Sequence, residues 1–218
     1  MAFDLYIFDL DGTLIDTRYD LTIAINDMLS RYHLEPKSAE EVTGYVGDGI
    51  QKLVERCLGD EGIDVKEAAS IFKKSYWIHK LDTTVPYPGV MDLLSRLSGK
   101  HKAILTNKSY RFTRAIMDGL RLTPEFSIVV GGDSVRRKKP STDGVEYILE
   151  RCGISSERAV LVGDGRNDIV VAKKAGLTAV WAAYGFSNRE RILGIDPDYT
   201  IDSPIQLLDI EKRIERNS

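Results

Sequence analysis

Five short runs rich in Val, Ile and Leu recur along the chain, and most of what it can fold into follows from them. They read LYIF, KAILT, SIVVGG, RAVLVGD and LTAVWA. None alternates cleanly between apolar and polar residues, so neither face of these segments is built to meet water. Strands buried on both faces belong to parallel sheets. The stretches between them carry a different period. Val90, Leu93, Leu94 and Leu97 follow i, i+3, i+4, i+7 spacing, and so do Val145, Ile148, Leu149 and Cys152. Strands alternating with amphipathic helices predict an α/β fold with a doubly wound parallel sheet.

One segment breaks this rhythm. From Thr17 to about Asp82 there is helical periodicity and no strand pattern. Its stripes are Leu21, Ile25, Met28, Leu29 and Tyr32; Ile50, Leu53, Val54, Cys57 and Leu58; and Val65, Ala68, Ala69, Phe72 and Tyr76. Ser38 and Glu41 have the spacing of a capping box. VPYPG, Val85 to Gly89, then stops helical continuation. The expected organisation is an α/β core of residues 1–15 and 86–218, with residues 16–85 inserted after the first strand as an α-helical cap.

The remaining composition narrows the classes. With 43% hydrophobic and 29% charged residues in 218, the chain is long enough for one substantial core and is not a disordered one. A formal net charge of −3 argues against nucleic acid as a partner. No apolar stretch reaches membrane-span length, and MAFDLYIF lacks the basic start of a signal peptide. Two cysteines, Cys57 and Cys152, both at apolar helical positions, make no disulfide framework. A cytoplasmic protein, monomer or homodimer, is expected.

In open parallel sheets, ligands bind beyond the carboxyl ends of the strands. The polar residues that follow each apolar run are therefore the candidates. Asp9 and Asp11 follow the first run, and Thr106 and Asn107 the second. Gly131, Gly132 and Asp133 follow the third, with Lys139 a little further on. Gly163, Asp164, Gly165, Arg166, Asn167 and Asp168 follow the fourth. Four of these carboxylates with one lysine leave excess negative charge on one rim. A hard divalent cation is the usual remedy, and Mg²⁺ favours one or two carboxylates, waters and phosphate oxygens. The chemistry that fits is phosphoryl transfer. An aspartate attacks phosphorus, and a second carboxyl protonates the leaving alcohol and later activates water. Thr106 and Lys139 suit the phosphoryl oxygens. Asp164 and Asp168, at i and i+4, can hold the metal directly and from behind.

Each piece is weak by itself. Asp-x-Asp-Gly also opens calcium loops, but such a loop needs Gly at its sixth position and Glu at its twelfth. Counted from Asp9, Leu14 and Asp20 stand there. The histidines His33, His79 and His101 match no Ser or Cys nucleophile and read as structural or surface residues. The Gly-rich GYVGDGI, Gly44 to Ile50, follows no strand, so it is no dinucleotide fingerprint. It reads as a backbone-rich cap loop for substrate, with Gly47, Asp48 and Gly49 at its centre.

Taken in order, DLDGT (Asp9 to Thr13), TN (Thr106, Asn107), KP (Lys139, Pro140) and GDGRND (Gly163 to Asp168) resemble the four signatures of the haloacid dehalogenase-like hydrolase superfamily. VGDGIQKLV in the cap resembles the substrate loop of its phosphoglycolate phosphatases. The resemblance spans essentially the whole chain and implies a Rossmann-like core with an inserted helical cap. It implies Asp9 as nucleophile, Asp11 as general acid and base, and Thr106 and Lys139 as phosphoryl ligands. Asn107, Gly12 and Thr13 would complete the phosphate cradle. Mg²⁺ would sit on the Asp9 carboxylate, the Asp11 main-chain carbonyl and Asp164, with Asp168 in support. The second aspartate disfavours dehalogenation and phosphonate cleavage. Thr142 and Gly165 stand where the family often has Pro and Ser. The expected activity is hydrolysis of a small phosphate ester, 2-phosphoglycolate first. A sugar-phosphate mutase, a pyrophosphatase or a nucleotidase would use the same scaffold.

Overall fold

The computed structural model describes residues 3–216. The chain divides into two compact units, Met1–Asp16 with Pro86–Ser218, and Thr17–Val85. In chain order it opens with strand β1 (Leu5–Phe8) and the short β2 (Ile15–Asp16). Four helices follow: α1 (Arg18–Ser30), α2 (Ala39–Tyr45), α3 (Ile50–Leu58) and α4 (Val65–His79). After the short β3 (Val85–Pro86) come α5 (Val90–Arg96), β4 (His101–Leu105), α6 (Tyr110–Gly119), β5 (Ile128–Val130) and α7 (Asp143–Cys152). The chain continues through β6 (Ala159–Gly163), α8 (Arg166–Lys174), β7 (Thr178–Ala182), α9 (Arg189–Ile192), β8 (Tyr199–Ile201) and α10 (Leu207–Arg216).

The larger unit is built on a six-stranded sheet ordered β5-β4-β1-β6-β7-β8, parallel at every pairing. From β1 the chain works outward through β4 to β5, then returns to β6 on the other side of β1. The order reverses around β1, which creates a crevice at its carboxyl end. Register aligns that end. Phe8 stands opposite both Ile104 and Val162, so the residues after β1, β4 and β6 leave from one rim.

Alternate side chains commit to opposite faces. Leu5, Ile7, Leu105, Ala159, Leu161 and Trp181 bury one face against Val145 and Ile148 of α7 and Ile169 and Ala172 of α8. The other face is more aromatic. Tyr6 lies between Phe3 and Phe8, Phe8 meets Phe126 edge-on, and the Tyr6 hydroxyl donates to Glu211 of α10. Ile7 is fully buried; truncating such a residue to alanine costs about 2–5 kcal/mol. β8 had no recognisable signal in the sequence, because YTI is three residues long and only Ile201 is buried.

In the smaller unit the four helices bury the stripes read from the sequence, among them Leu21, Ile25, Met28, Leu53, Val54, Phe72 and Tyr76. α2 begins with the full Ser38–Glu41 capping box, and Asp64 caps α4 by accepting from the Lys66 and Glu67 amides. Asp20 is completely buried and accepts four hydrogen bonds, two amide and two hydroxyl, from Thr83 and Thr84. Both cysteines are free, and burial pushes the Cys57 thiol up to about 12, which makes it inert. No described helix is long and apolar enough to cross a membrane.

Candidate active site

Beyond Phe8 the strand hydrogen-bonding continues one residue, with the Asp9 amide donating to the Val162 carbonyl at 2.9 Å. The chain then folds tightly on itself. The amides of Thr13, Leu14 and Ile15 all point to the Leu10 carbonyl, at 3.2, 3.0 and 3.1 Å. This turn needs a left-handed residue, and Gly12 supplies it with φ 80. A Cβ on Gly12 would also lie 2.5 Å from Asp164 Oδ2, so the turn and the end of β6 are in van der Waals contact. The tightness of the turn is what turns Asp9 and Asp11 away from the strand and onto the rim.

Asp9, Asp164 and Asp168 converge there, each offering a carboxylate oxygen within 4.8 Å of the others. Asp164 follows β6 directly, and Asp168 sits in the first turn of α8, its Oδ2 accepting from the Gly165 amide at 3.0 Å. Lys139 is 4% exposed and lies between two of the carboxylates, 2.5 Å from Asp168 Oδ1 and 3.0 Å from Asp9 Oδ1. Burial pushes its ammonium pKa down, but Asp168 and then Asp9 outweigh burial and the net shift is upward. Asp9 Oδ1 is buried, and the Lys139 ammonium meets its charge.

Asp164 is held on three sides. Its Oδ2 accepts from the Phe186 amide at 2.8 Å and the Ser187 amide at 3.3 Å, its Oδ1 lies 3.5 Å from Thr13 Oγ1, and its carbonyl accepts from the Trp181 indole at 3.0 Å. Even so, burial, then Asp9 and Asp168, push its carboxyl up to about 8. Burial likewise raises Asp168, with Lys139 pulling the other way, to about 6. A site whose carboxylates sit this high has more negative charge than its own lysines offset. The donor set is all hard oxygen and converges on one point, which fits a divalent cation such as Mg²⁺.

Thr106 ends β4, its amide bound to the Val130 carbonyl at 3.0 Å. Asn107 turns its amide nitrogen onto the Lys139 carbonyl at 3.0 Å, fixing the loop that carries the lysine. Asp11 is paired with Lys108, whose Nζ lies 2.8 Å from each carboxylate oxygen. Lys108 was not among the expected site residues, nor were Trp181 or the Phe186 and Ser187 amides. Only the position of Lys108 directly after Thr106 and Asn107 could have flagged it. Gly47, Asp48 and Gly49 lie in the helical unit between α2 and α3, where Arg56 clasps the loop through Asp48 Oδ2 and the Tyr45 carbonyl.

A doubly wound parallel sheet with this cluster at its switch point defines an α/β enzyme that handles an anionic substrate among carboxylates. More particularly, residues 6–182 match the family model for haloacid dehalogenase-like hydrolases, and the chain belongs to that family. Phosphoglycolate phosphatase 1 of Pseudomonas aeruginosa is 36% identical over 94% of this chain and 78% of its own length. A phosphoglycolate phosphatase of Chromobacterium violaceum is 35% identical over 94% of this chain and 95% of its own length. Among solved structures, a predicted phosphoglycolate phosphatase from Haemophilus somnus superposes with a TM-score of 0.87 at 28% identity, covering 95% of this chain and 97% of that one.

Proposed function

We propose that this enzyme is a Mg²⁺-dependent phosphatase acting on a small phosphate ester, 2-phosphoglycolate first, through an aspartyl-phosphate on Asp9. The observation that carries the reading is the convergence of Asp9, Asp164 and Asp168 around Lys139 at the end of β1. The relatives named phosphoglycolate phosphatase support the choice of ester.

Asp9 attacks phosphorus with a carboxylate oxygen, and the bond from phosphorus to the ester oxygen breaks. Asp11 gives its proton to that oxygen, so the product leaves as a neutral alcohol. Asp11, now a base, takes a proton from water, whose oxygen attacks the phosphoryl group and releases Asp9 and inorganic phosphate. Lys139 and the Thr106 hydroxyl hold phosphoryl oxygens through both halves. Asp9, Asp164 and the Asp11 main-chain carbonyl would hold Mg²⁺, with Asp168 behind them. When bound, the ion supplies the positive charge that lets these carboxylates and a phosphate share one site. The Gly47–Gly49 loop is read as a substrate contact of the cap.

The test is phosphate release from a panel of small esters in Mg²⁺ and in EDTA. Release that needs the metal and is strongest on 2-phosphoglycolate is the expected result. Release only from other esters keeps the mechanism and ends the substrate assignment. Transfer of the phosphoryl group to a sugar hydroxyl in place of water makes the protein a mutase.

A further inference from the structure

The Lys108–Asp11 pair is an unusual thing for this site to contain. The two side chains are only 5% and 10% exposed, and the ammonium spans both carboxylate oxygens at 2.8 Å. Desolvating two charges costs several kcal/mol each, and buried ion pairs are weak contributors to stability. The fold nevertheless fixes this lysine firmly. Its amide donates to Thr106 Oγ1 at 3.3 Å, and its carbonyl accepts from the Gly132 amide at 2.8 Å. Gly132 packs so closely that a Cβ there would come within 2.4 Å of the Asn107 carbonyl oxygen. A backbone held this tightly aims one cation at one place, and that place is the proton donor of the proposed reaction.

The place has chemical meaning. Asp11 must reach the ester oxygen of the leaving group. A cation that grips Asp11 therefore stands beside whatever is attached one carbon from that oxygen. In 2-phosphoglycolate that group is a carboxylate. Lys139 does not serve it, being shared between Asp168 and Asp9. Arg137, an exposed cation of the same loop, is committed to Asp143. Lys108, by contrast, already displays the geometry of a carboxylate receptor, with a carboxylate of the protein in it.

We propose that Lys108 is the specificity residue that reads an α-carboxylate on the substrate, with Asp11 standing in for that carboxylate in the free enzyme. On binding, the substrate carboxylate takes over the Lys108 ammonium, and the released Asp11 carboxylate takes up a proton from water and turns to the ester oxygen. One ion-pair exchange thereby selects the substrate and delivers the proton donor. Esters without the carboxylate leave Asp11 clamped. The inference rests on the phosphatase reading for the position of Asp11, and on its own geometry for the choice of anion.

The experiment compares 2-phosphoglycolate with 2-hydroxyethyl phosphate, which has the same skeleton with a neutral alcohol in place of the carboxylate. The kcat/KM ratio for the two esters is measured in Mg²⁺ for wild type, Lys108→Met and Lys108→Arg, with thermal unfolding as the folding control. Both rates change in the methionine variant, so the ratio is the readout. It falls by about 10–100-fold, the worth of a hydrogen bond to a charged group, chiefly through KM. Lys108→Arg keeps part of the preference. Calorimetric binding of both esters in an Asp9→Asn background gives the same comparison without turnover. There Lys108→Met weakens 2-phosphoglycolate selectively. An unchanged ratio in Lys108→Met, with both esters slowed alike, overturns the inference and leaves the phosphatase reading standing. Binding of 2-phosphoglycolate that depends on Lys108 in a protein that releases no phosphate does the reverse. A wild type that hydrolyses or binds both esters equally sinks this inference and the 2-phosphoglycolate assignment together.

Discussion

At the residue scale, Asp9 is the side chain on which the proposed chemistry turns, and its surroundings say how to test it. Its buried Oδ1 lies 3.0 Å from the Lys139 ammonium, which supplies the nearby positive charge. Asp9→Asn keeps the volume and removes the nucleophile. Turnover is expected to fall below detection while the thermal midpoint moves little, since Lys139 keeps its closer ion pair with Asp168. Near-wild-type phosphate release in this variant would end the covalent proposal. The sequence made Asp9 legible because an apolar strand running straight into a carboxylate is rare and expensive. Lys108 was illegible for the opposite reason. A lysine after a strand end is ordinary, and its partner Asp11 lies 97 residues away along the chain. The Phe186 and Ser187 amides were equally hidden, because backbone donors leave no trace in residue type.

At the scale of elements, the turn after β1 and the last residues of the helical unit each depend on one packed polar contact. Gly12 has φ 80, and its missing Cβ leaves room for Asp164. Gly12→Ala is strained by its backbone and pushes on Asp164, the carboxylate proposed to hold the metal. The expected outcome is a loss of about 1–3 kcal/mol in stability, from the strained conformation, with weaker activation by Mg²⁺ in a titration of activity against metal. Activation at wild-type concentrations of Mg²⁺ would show that Asp164 tolerates displacement.

In the helical unit, Asp20 entered the sequence reading only as the wrong residue for a calcium loop. It proves to anchor Thr83 and Thr84 to α1 through four hydrogen bonds, fully buried. Asp20→Ala strands those donors, each unsatisfied group costing about 1–3 kcal/mol. Urea unfolding should show a loss of at least about 2 kcal/mol, with Asp20→Asn intermediate because an amide oxygen accepts where its nitrogen cannot. A loss under half that size would mean water replaces the carboxylate. The parallel strands were legible by their Val and Ile runs, and the α2 cap by its Ser–Glu spacing. β8 was not, because YTI carries one buried apolar residue where the other edge strand, β5, carries an unbroken IVV run.

For the whole molecule, the consequence of gathering carboxylates at one rim is a stability that depends on pH and on metal. Burial, then Asp9 and Asp168, hold the Asp164 carboxyl up to about 8 in the folded chain, while in the unfolded chain it sits near the ordinary value of about 4. The folded state therefore binds a proton that unfolding releases. The stability it contributes is complete below pH about 4 and is lost as pH rises through about 8. Asp168, raised to about 6, adds a loss in the same direction over the lower part of that window. Lys139, raised above its usual value, holds its contribution until far higher pH. The proposed divalent cation would replace the proton as the neutralising charge, so its stabilising effect is expected to grow as the proton leaves. Thermal unfolding in EDTA is thus expected to show a midpoint that falls between pH 5.5 and pH 8.5, and Mg²⁺ is expected to raise it more at the upper pH than at the lower. Asp164→Asn should flatten the EDTA curve, since its amide carries neither the proton nor the charge. Equal increments from Mg²⁺ at both pH values, or a midpoint in EDTA that rises with pH across this window, would show that the carboxylate cluster is not where proton and metal compete.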